Sequence, residues 1–321
     1  MTLETADAST ITFGPVPSRR LGRSLGINNI PPKNCTYSCV YCQVGRTMNR
    51  QITPHTFYRP EEIENAVKLK VNAAIRAGET IDYLTFVPDG EPTLDIHLGE
   101  AMDRLRPLGI KIAVISNASL IWRQEVQHIL NKADWVSLKI DSVDEVSWKQ
   151  INRPHEHLQL PVILRGVERF AQQYQGELAT ETMLVKGIND NRKSVASVAD
   201  FLSQLKLHKI YLSIPTRPPA ETDIRAPEEK VIIRAYQLMK EKLKDVEYLI
   251  DYEGDEFALT GAAEQDLLAI TAVHPMREQA VKKLLTKAGA DWDLIRRLLT
   301  EKKLRRVKYS GKYFYVRSLH H

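Results

Sequence analysis

Three observations along the chain predict an α/β fold. Short apolar strands alternate with amphipathic helices in about six consecutive units, the cysteine loop, the GEP tripeptide and the Ser116-Asn117 pair that could carry chemistry all follow strands, and near Gly261 the pattern changes to three helices and a hairpin. The first two describe a partial (β/α)6 TIM-like barrel, with the catalytic domain over residues 1–258. The third describes a small winged helix-turn-helix domain over 259–321. Six units are fewer than the eight of a closed barrel, so an open barrel or a doubly wound sheet is expected, with its site at the carboxyl ends of the strands.

Taken in order, the opening from Gly14 to Ile27 is rich in proline and arginine and reads as irregular, with one strand placed before the cysteines. The first helix starts at Pro60 with Glu61 and Glu62 in its first turn. Its apolar face is Ile63, Ala66, Val67, Val71 and Ala74, and Gly78 ends it. Strand Tyr83 to Val87 runs into Pro88-Asp89-Gly90-Glu91-Pro92. A helix near 95–106, strand Lys111 to Ser116 and a helix over 122–130 follow. Strand Trp135 to Ile140 comes next, then a long helical stretch over 157–175, strand 178–185, helix 191–205 and strand Ile210 to Ile214. Pro215 to Pro219 can continue neither a central strand nor a helix, so a loop starts there. An amphipathic helix spans 226–244 and a short strand is expected over 247–252. Helices near 263–272, 277–287 and 291–302 lead to strands Leu304 to Tyr309 and Tyr313 to Arg317, joined at Ser310-Gly311.

The 321 residues are 43% hydrophobic and 26% charged, which excludes a disordered chain or a disulfide-stapled mini-protein. No apolar run of about 18 residues is present, so no membrane partner is expected, and the chain is assigned to the cytoplasm. The net charge of +5 is unevenly spread. From Arg277 onward there are thirteen lysines and arginines against four acids, leaving residues 1–276 mildly acidic. A basic segment of this kind suits an anionic partner, although a solvated basic face would look the same.

All three cysteines lie in one window, Cys35-x3-Cys39-x2-Cys42. Structural zinc would need a fourth ligand, and the nearest histidine, His55, is thirteen residues beyond Cys42. A redox pair of Cys39 and Cys42 would leave Cys35 without a role. A [4Fe–4S] cluster normally takes four cysteines, so here one iron would lack a protein thiolate and could bind a substrate or cofactor.

The C-x3-C-x2-C spacing, with Tyr41 just before the last cysteine, resembles the signature of the radical S-adenosylmethionine superfamily. The resemblance implies one [4Fe–4S] cluster held by Cys35, Cys39 and Cys42, with S-adenosylmethionine on the open iron. One electron, from a flavodoxin- or ferredoxin-type donor, cleaves S-adenosylmethionine to a 5′-deoxyadenosyl radical that abstracts hydrogen from substrate, while the protein orients the cofactor. It also implies cofactor contacts. Tyr41 would lie by the adenine. Gly90 and Glu91 of the GEP tripeptide would hold the methionine amino group, and Ser116 and Asn117 the ribose or carboxylate. Lys139 and Asp141 of SLKID would do similar work or form a salt-bridged strand end, and Val185 of LVKGIND or its neighbours would contact the adenine. Arg19, Arg20 and Arg23 would hold an anionic substrate, close the barrel mouth or form a solvated surface.

Across residues 12–220 the match extends to VPDGEPTL, SNASL and INRPH. It is similar to a group of oxidoreductases related to the enzymes that form the wyosine base of tRNA. Those enzymes carry further N-terminal cysteines for a second cluster, and this chain has none. In the C-terminal domain the helix over 291–302 carries Arg296 and Arg297, and the hairpin interleaves Lys308, Tyr309, Lys312, Tyr313 and Tyr315, a composition suited to phosphate contact and base stacking. Radical modification of RNA or tRNA is the expected function. The alternative is radical modification of a peptide, protein or small metabolite, with the winged helix as a docking domain. An iron–sulfur DNA-binding sensor is disfavoured, because a sensor needs no cofactor tripeptide.

Overall fold

The computed structural model describes residues 11–250, 257–260 and 263–318. Strands β1 (Thr12–Ser18) and β2 (Gly22–Ile27) form an antiparallel hairpin. From β2 onward the neighbours are parallel and in chain order: β3 (Tyr83–Phe86), β4 (Lys111–Ser116), β5 (Trp135–Lys139), β6 (Glu177–Met183), β7 (Lys209–Ser213) and β8 (Val246–Leu249). The sheet curls into a half-barrel. Helices α1 (Pro60–Arg76), α2 (Leu98–Leu105), α3 (Gln124–Leu130), α4 (Glu145–Asn152), α5 (Leu160–Gln173), α6 (Arg192–Leu202) and α7 (Glu229–Lys242) provide the crossovers.

Side-chain alternation decides which residues meet the helices and which line the curl. Leu84 and Phe86 of β3, Ile112 and Val114 of β4, Val136 and Leu138 of β5, and Ile210 and Leu212 of β7 join the large core beneath the helices. Their alternates Ala113, Trp135, Ala179 and Tyr211 cluster with Leu21 on the concave face and fill its floor. The same parity carries Lys139, Glu181 and Ser213 to that concave side at the carboxyl ends of β5, β6 and β7.

The Gly14 to Ile27 segment is an ordered hairpin rather than irregular chain. Pro15 and Pro17 fit because β1 is an edge strand, and the register shifts between Phe13 and Val16. The helical stretch over 157–175 is confined to α5, and α4 precedes it, capped by the Asp144 carboxylate accepting from the Ser147 N–H at 2.9 Å. Part of the strand expected over 247–252 lies outside the described residues.

At the C-terminus come α8 (Ala263–Val273), β9 (Met276–Arg277), α9 (Glu278–Lys287), α10 (Asp293–Thr300), β10 (Leu304–Tyr309) and β11 (Lys312–Arg317). Three strands pair in the order β10-β11-β9. Their core takes in Phe13 and Val16 of β1 together with Leu267, Leu284, Leu298 and Tyr315, so β1 serves both the barrel edge and this second core. Among the described residues no helix is long and apolar enough to cross a membrane.

Candidate active site

The cysteines occupy the long connection between β2 and α1, over residues 28–59, which wraps the carboxyl ends of the strands. Short bridges pin it: Asn34 to Gly90, Cys35 to Arg50 and Tyr37 to Pro154. The Asn34 carbonyl accepts from the Glu91 N–H at 2.9 Å. Gly90 is required by this approach, since a Cβ there would lie 2.0 Å from the Asn34 carbonyl oxygen. On the other flank, the Ser38 and Val40 N–H groups donate to the Asn152 and Ile151 carbonyls at 3.0 and 2.9 Å. The INRPH segment is therefore a wall of the cysteine loop.

Side-chain amides reach two of the sulfurs. Asn117 Nδ2 lies 3.5 Å from Cys35 Sγ, and Asn152 Nδ2 lies 3.4 Å from Cys39 Sγ. Burial pushes the Cys39 thiol up to about 12, with the Asp141 carboxylate adding to it. Burial also raises Cys35, and raises Cys42 against the opposing pull of Lys33. The three cysteines are half-buried, and surroundings that disfavour free thiolates need bound cations to hold them ionised. Among the described residues no three His, Cys, Asp or Glu side chains gather tightly enough for a single ion. Three thiols spread over one loop fit a polynuclear cluster, in which each iron takes one thiolate, better than mononuclear zinc.

The structure finds partners within the chain for several groups expected to face the cofactor. Glu91 is buried and accepts from Thr93 N, Thr93 Oγ1, Ser116 Oγ and Asn117 N at 3.2, 2.6, 2.7 and 2.7 Å. Burial raises its carboxyl against those hydrogen bonds. Parity explains Ser116: it shares the outer face with Ile112 and Val114, away from the concavity. Asn117 Nδ2 also donates to Thr36 Oγ1 at 2.8 Å, and its Oδ1 accepts from Ser119 N at 2.9 Å. The buried Asp141 carboxylate accepts from the Tyr41 hydroxyl, from Asn152 Nδ2 at 2.8 Å and from Met183 N at 2.9 Å. The Val185 side chain is fully buried with Val40 and Ile224, and its N–H donates to Asn189 Oδ1 at 2.8 Å.

A cavity opens beside Tyr41, lined also by Arg19, Arg20, Glu181, Ser213 and Arg217. It adjoins a second, which shares Arg20 and Arg217 and reaches Thr85, Asp89 and His274. Burial opposes charge on Glu181, yet Lys139 and Arg20 overcome it and hold the carboxyl at about 2. Lys139 Nζ lies 3.1 Å from Glu181 and 5.0 Å from the Tyr41 ring centre. Arg20 therefore works inside the concavity, and Arg19, whose side chain donates to the Tyr248 carbonyl, lines the same cavity, whereas Arg23 bonds Glu79. Gln43, next to Cys42, accepts from Arg217 at 2.8 Å and donates to the Val273 carbonyl at 2.8 Å, tying the cysteine loop to α8. Glu181, Gln43 and Arg217 carried no sequence signal of their own, and Asn152 stood out only as part of INRPH, with no role attached; parity within β6 was the one clue that pointed Glu181 inward.

Residues 29–202 match the model of the radical SAM superfamily. The chain belongs to that superfamily. It is 47% identical over 312 residues to the UPF0026 protein MJ1312 of Methanocaldococcus jannaschii, covering 97% of each chain. Among solved structures it resembles TYW1 with a lysine-pyruvate adduct bound, at TM-score 0.54 and 16% identity over 69% of this chain and 75% of that one. It also resembles a radical SAM methyltransferase from Sphaerobacter thermophilus, at TM-score 0.53 and 16% identity over 71% and 66%. At such identities the likeness is one of fold. The superfamily's cofactors are S-adenosylmethionine and a [4Fe–4S] cluster, and the three-thiol loop fits the latter.

Proposed function

We propose that this radical SAM enzyme abstracts a hydrogen atom from a nucleotide of RNA, with tRNA the expected substrate, as an oxidoreductase. The observation that carries the reading is the three-cysteine loop set against a cavity to whose lining a basic hairpin is bonded. Tyr309 of that hairpin donates to the Pro215 carbonyl at 3.1 Å, and Pro215 lines the cavity. When bound, the cluster and S-adenosylmethionine supply the 5′-deoxyadenosyl radical.

The chain's own residues do the rest. Cys35, Cys39 and Cys42 would hold three irons, leaving the fourth without a protein thiolate. The Asn117 and Asn152 amides reach the Cys35 and Cys39 sulfurs and would offset negative charge there once a cluster is bound. Gly90 lets the loop seat, and Glu91, Ser116 and Asn117 keep it there. Asp141 fixes the Tyr41 ring, which would lie against the adenine, while the Gly90-Glu91 backbone would meet the methionine amino group. Lys139 and Val185 complete that side, the former through its ammonium and the latter by packing. Glu181 stays a carboxylate between Lys139 and Arg20, giving the cavity a fixed polar lining. Leu21, Trp135 and Tyr211 exclude water from its floor.

The C-terminal unit, residues 259–321, follows the element order of a winged helix and would recruit the RNA. A flavodoxin- or ferredoxin-type protein in the cytoplasm would deliver the electron. Docking of a peptide or protein substrate is the second reading. It draws on α10, where Arg296 and Arg297 are already paired with Asp293 and Glu264. Incubating the reduced, reconstituted protein with S-adenosylmethionine and bulk tRNA tests the proposal. A tRNA-dependent rise in 5′-deoxyadenosine with a new nucleoside mass supports it; no tRNA effect, with a rise on adding a peptide library, overturns it.

A further inference from the structure

The basic C-terminal segment has two faces that the net charge does not separate. On α10 the cations are internally neutralised: Arg296 bonds Asp293 at 2.6 Å, and Arg297 bonds Glu264 at 2.5 Å and Glu301 at 3.5 Å. Lys303, just beyond, bonds Glu264 and Glu301 at 3.4 and 2.8 Å. The hairpin differs. Arg305, Arg306, Lys308 and Lys312 are exposed, and among the described residues none has a carboxylate within ion-pair distance.

The register shows how these cations are arranged. Lys308 stands opposite Tyr313, and Arg306 opposite Tyr315. The Arg306 guanidinium lies 3.9 Å from the exposed Tyr313 ring centre, and Lys308 Nζ lies 5.8 Å from it. One exposed ring is thus flanked by two cations. On the other face Lys312 pairs across from Tyr309, whose hydroxyl is bonded to the cavity rim at Pro215. Cations on β10, an edge strand, would also block strand addition. That role does not call for an exposed aromatic ring on the same face.

We infer that the β10–β11 hairpin, and not α10, is the nucleic-acid surface, and that it binds a single-stranded RNA segment. A base would stack on Tyr313 with its flanking phosphates against Arg306 and Lys308 on the same face, and the adjoining strand would wrap the hairpin past Arg305, Lys312 and Tyr309 on the other face towards the cavity. Stacking tolerates any base but needs an unpaired one, so the surface discriminates strand state rather than sequence. This inference rests on the RNA reading above and makes it specific.

The test uses the reconstituted full chain and a fluorescein-labelled 12-nucleotide oligouridylate, read by anisotropy across a salt series. Arg305→Gln/Lys308→Gln/Lys312→Gln should flatten the slope of log affinity against log salt by about 2, because each phosphate contact on a single strand contributes about 0.7. Tyr313→Ala should weaken the oligonucleotide about 5- to 100-fold and leave a blunt duplex unaffected. Arg296→Gln/Arg297→Gln should bind as the unaltered protein does, with thermal unfolding confirming that each variant folds. The inference is overturned if the α10 variant loses as much as the hairpin variant, if the unaltered protein binds no oligonucleotide, or if polyglutamate binds the hairpin more tightly than RNA. Oligonucleotide bound through the hairpin without any RNA-dependent rise in 5′-deoxyadenosine would instead refute RNA as the substrate, leaving the surface assigned.

Discussion

Replacing Gly90 by alanine should empty the cysteine loop of iron while leaving the barrel folded. The added Cβ would sit 2.0 Å from the Asn34 carbonyl oxygen and 2.8 Å from Ile30 Cδ1, whereas real Cβ atoms essentially never come within 3.0 Å of a neighbour. Relief by backbone movement therefore requires a shift of about 1 Å at Asn34, the residue before Cys35. That shift breaks the 2.9 Å Glu91-to-Asn34 hydrogen bond and moves a ligand by more than the roughly 0.5 Å tolerance of a working site. Overpacking of this kind costs about 1–3 kcal/mol, too little to unfold a domain of ordinary stability. The assay is iron and sulfide per chain after anaerobic reconstitution, with far-ultraviolet circular dichroism for the fold. Gly99→Ala is the comparison, because its Cβ would meet nothing closer than 3.4 Å, at Ile129. Four irons per chain in the Gly90→Ala protein would refute the reasoning.

Three further outcomes are expected. Asn152→Ala, which removes the amide on Cys39 Sγ, should lower iron affinity about 10- to 100-fold in competition with a chelator. Glu181 is held near 2, below its ordinary value, so its contribution to stability is complete above about pH 4.5 and is lost as pH falls toward 2. The full loss is about 3 kcal/mol, read as urea midpoints at several pH values, and Glu181→Gln should abolish that acid-side slope. The same substitution should cost about 3–5 kcal/mol at neutral pH, since Lys139 and Arg20 lose their shared carboxylate; a melting temperature unchanged from the unaltered protein would contradict this.

The parallel pairing was legible because strand and helix periods alternate cleanly, though the choice between an open barrel and a doubly wound sheet was not, and strand Lys111–Ser116 lies where its apolar run begins and ends. The β1–β2 hairpin was not, because Pro15 and Pro17 remove ladder donors, a loss that only an edge position tolerates. Cys35, Cys39 and Cys42 stood out as the only thiols in the chain. The roles of Glu91, Ser116, Asn117 and Asp141 were harder to read. A strand-end position says which end of the barrel a residue occupies, whereas parity and the path of residues 28–59 decide whether its side chain faces the cavity or braces the loop. The charge of the C-terminal segment was plain in composition, but its pairing on α10 depends on Glu264, more than thirty residues upstream of Arg297, and on the local acids Asp293 and Glu301.

The most direct test of the central claim is 5′-deoxyadenosine formation from S-adenosylmethionine by the dithionite-reduced, reconstituted protein, compared with Cys39→Ala. Three thiolates and one open iron predict 5′-deoxyadenosine and methionine in equal amounts from the unaltered chain and none above background from the variant. Equal yields from the two proteins, or no cleavage by a chain carrying four irons, would contradict it.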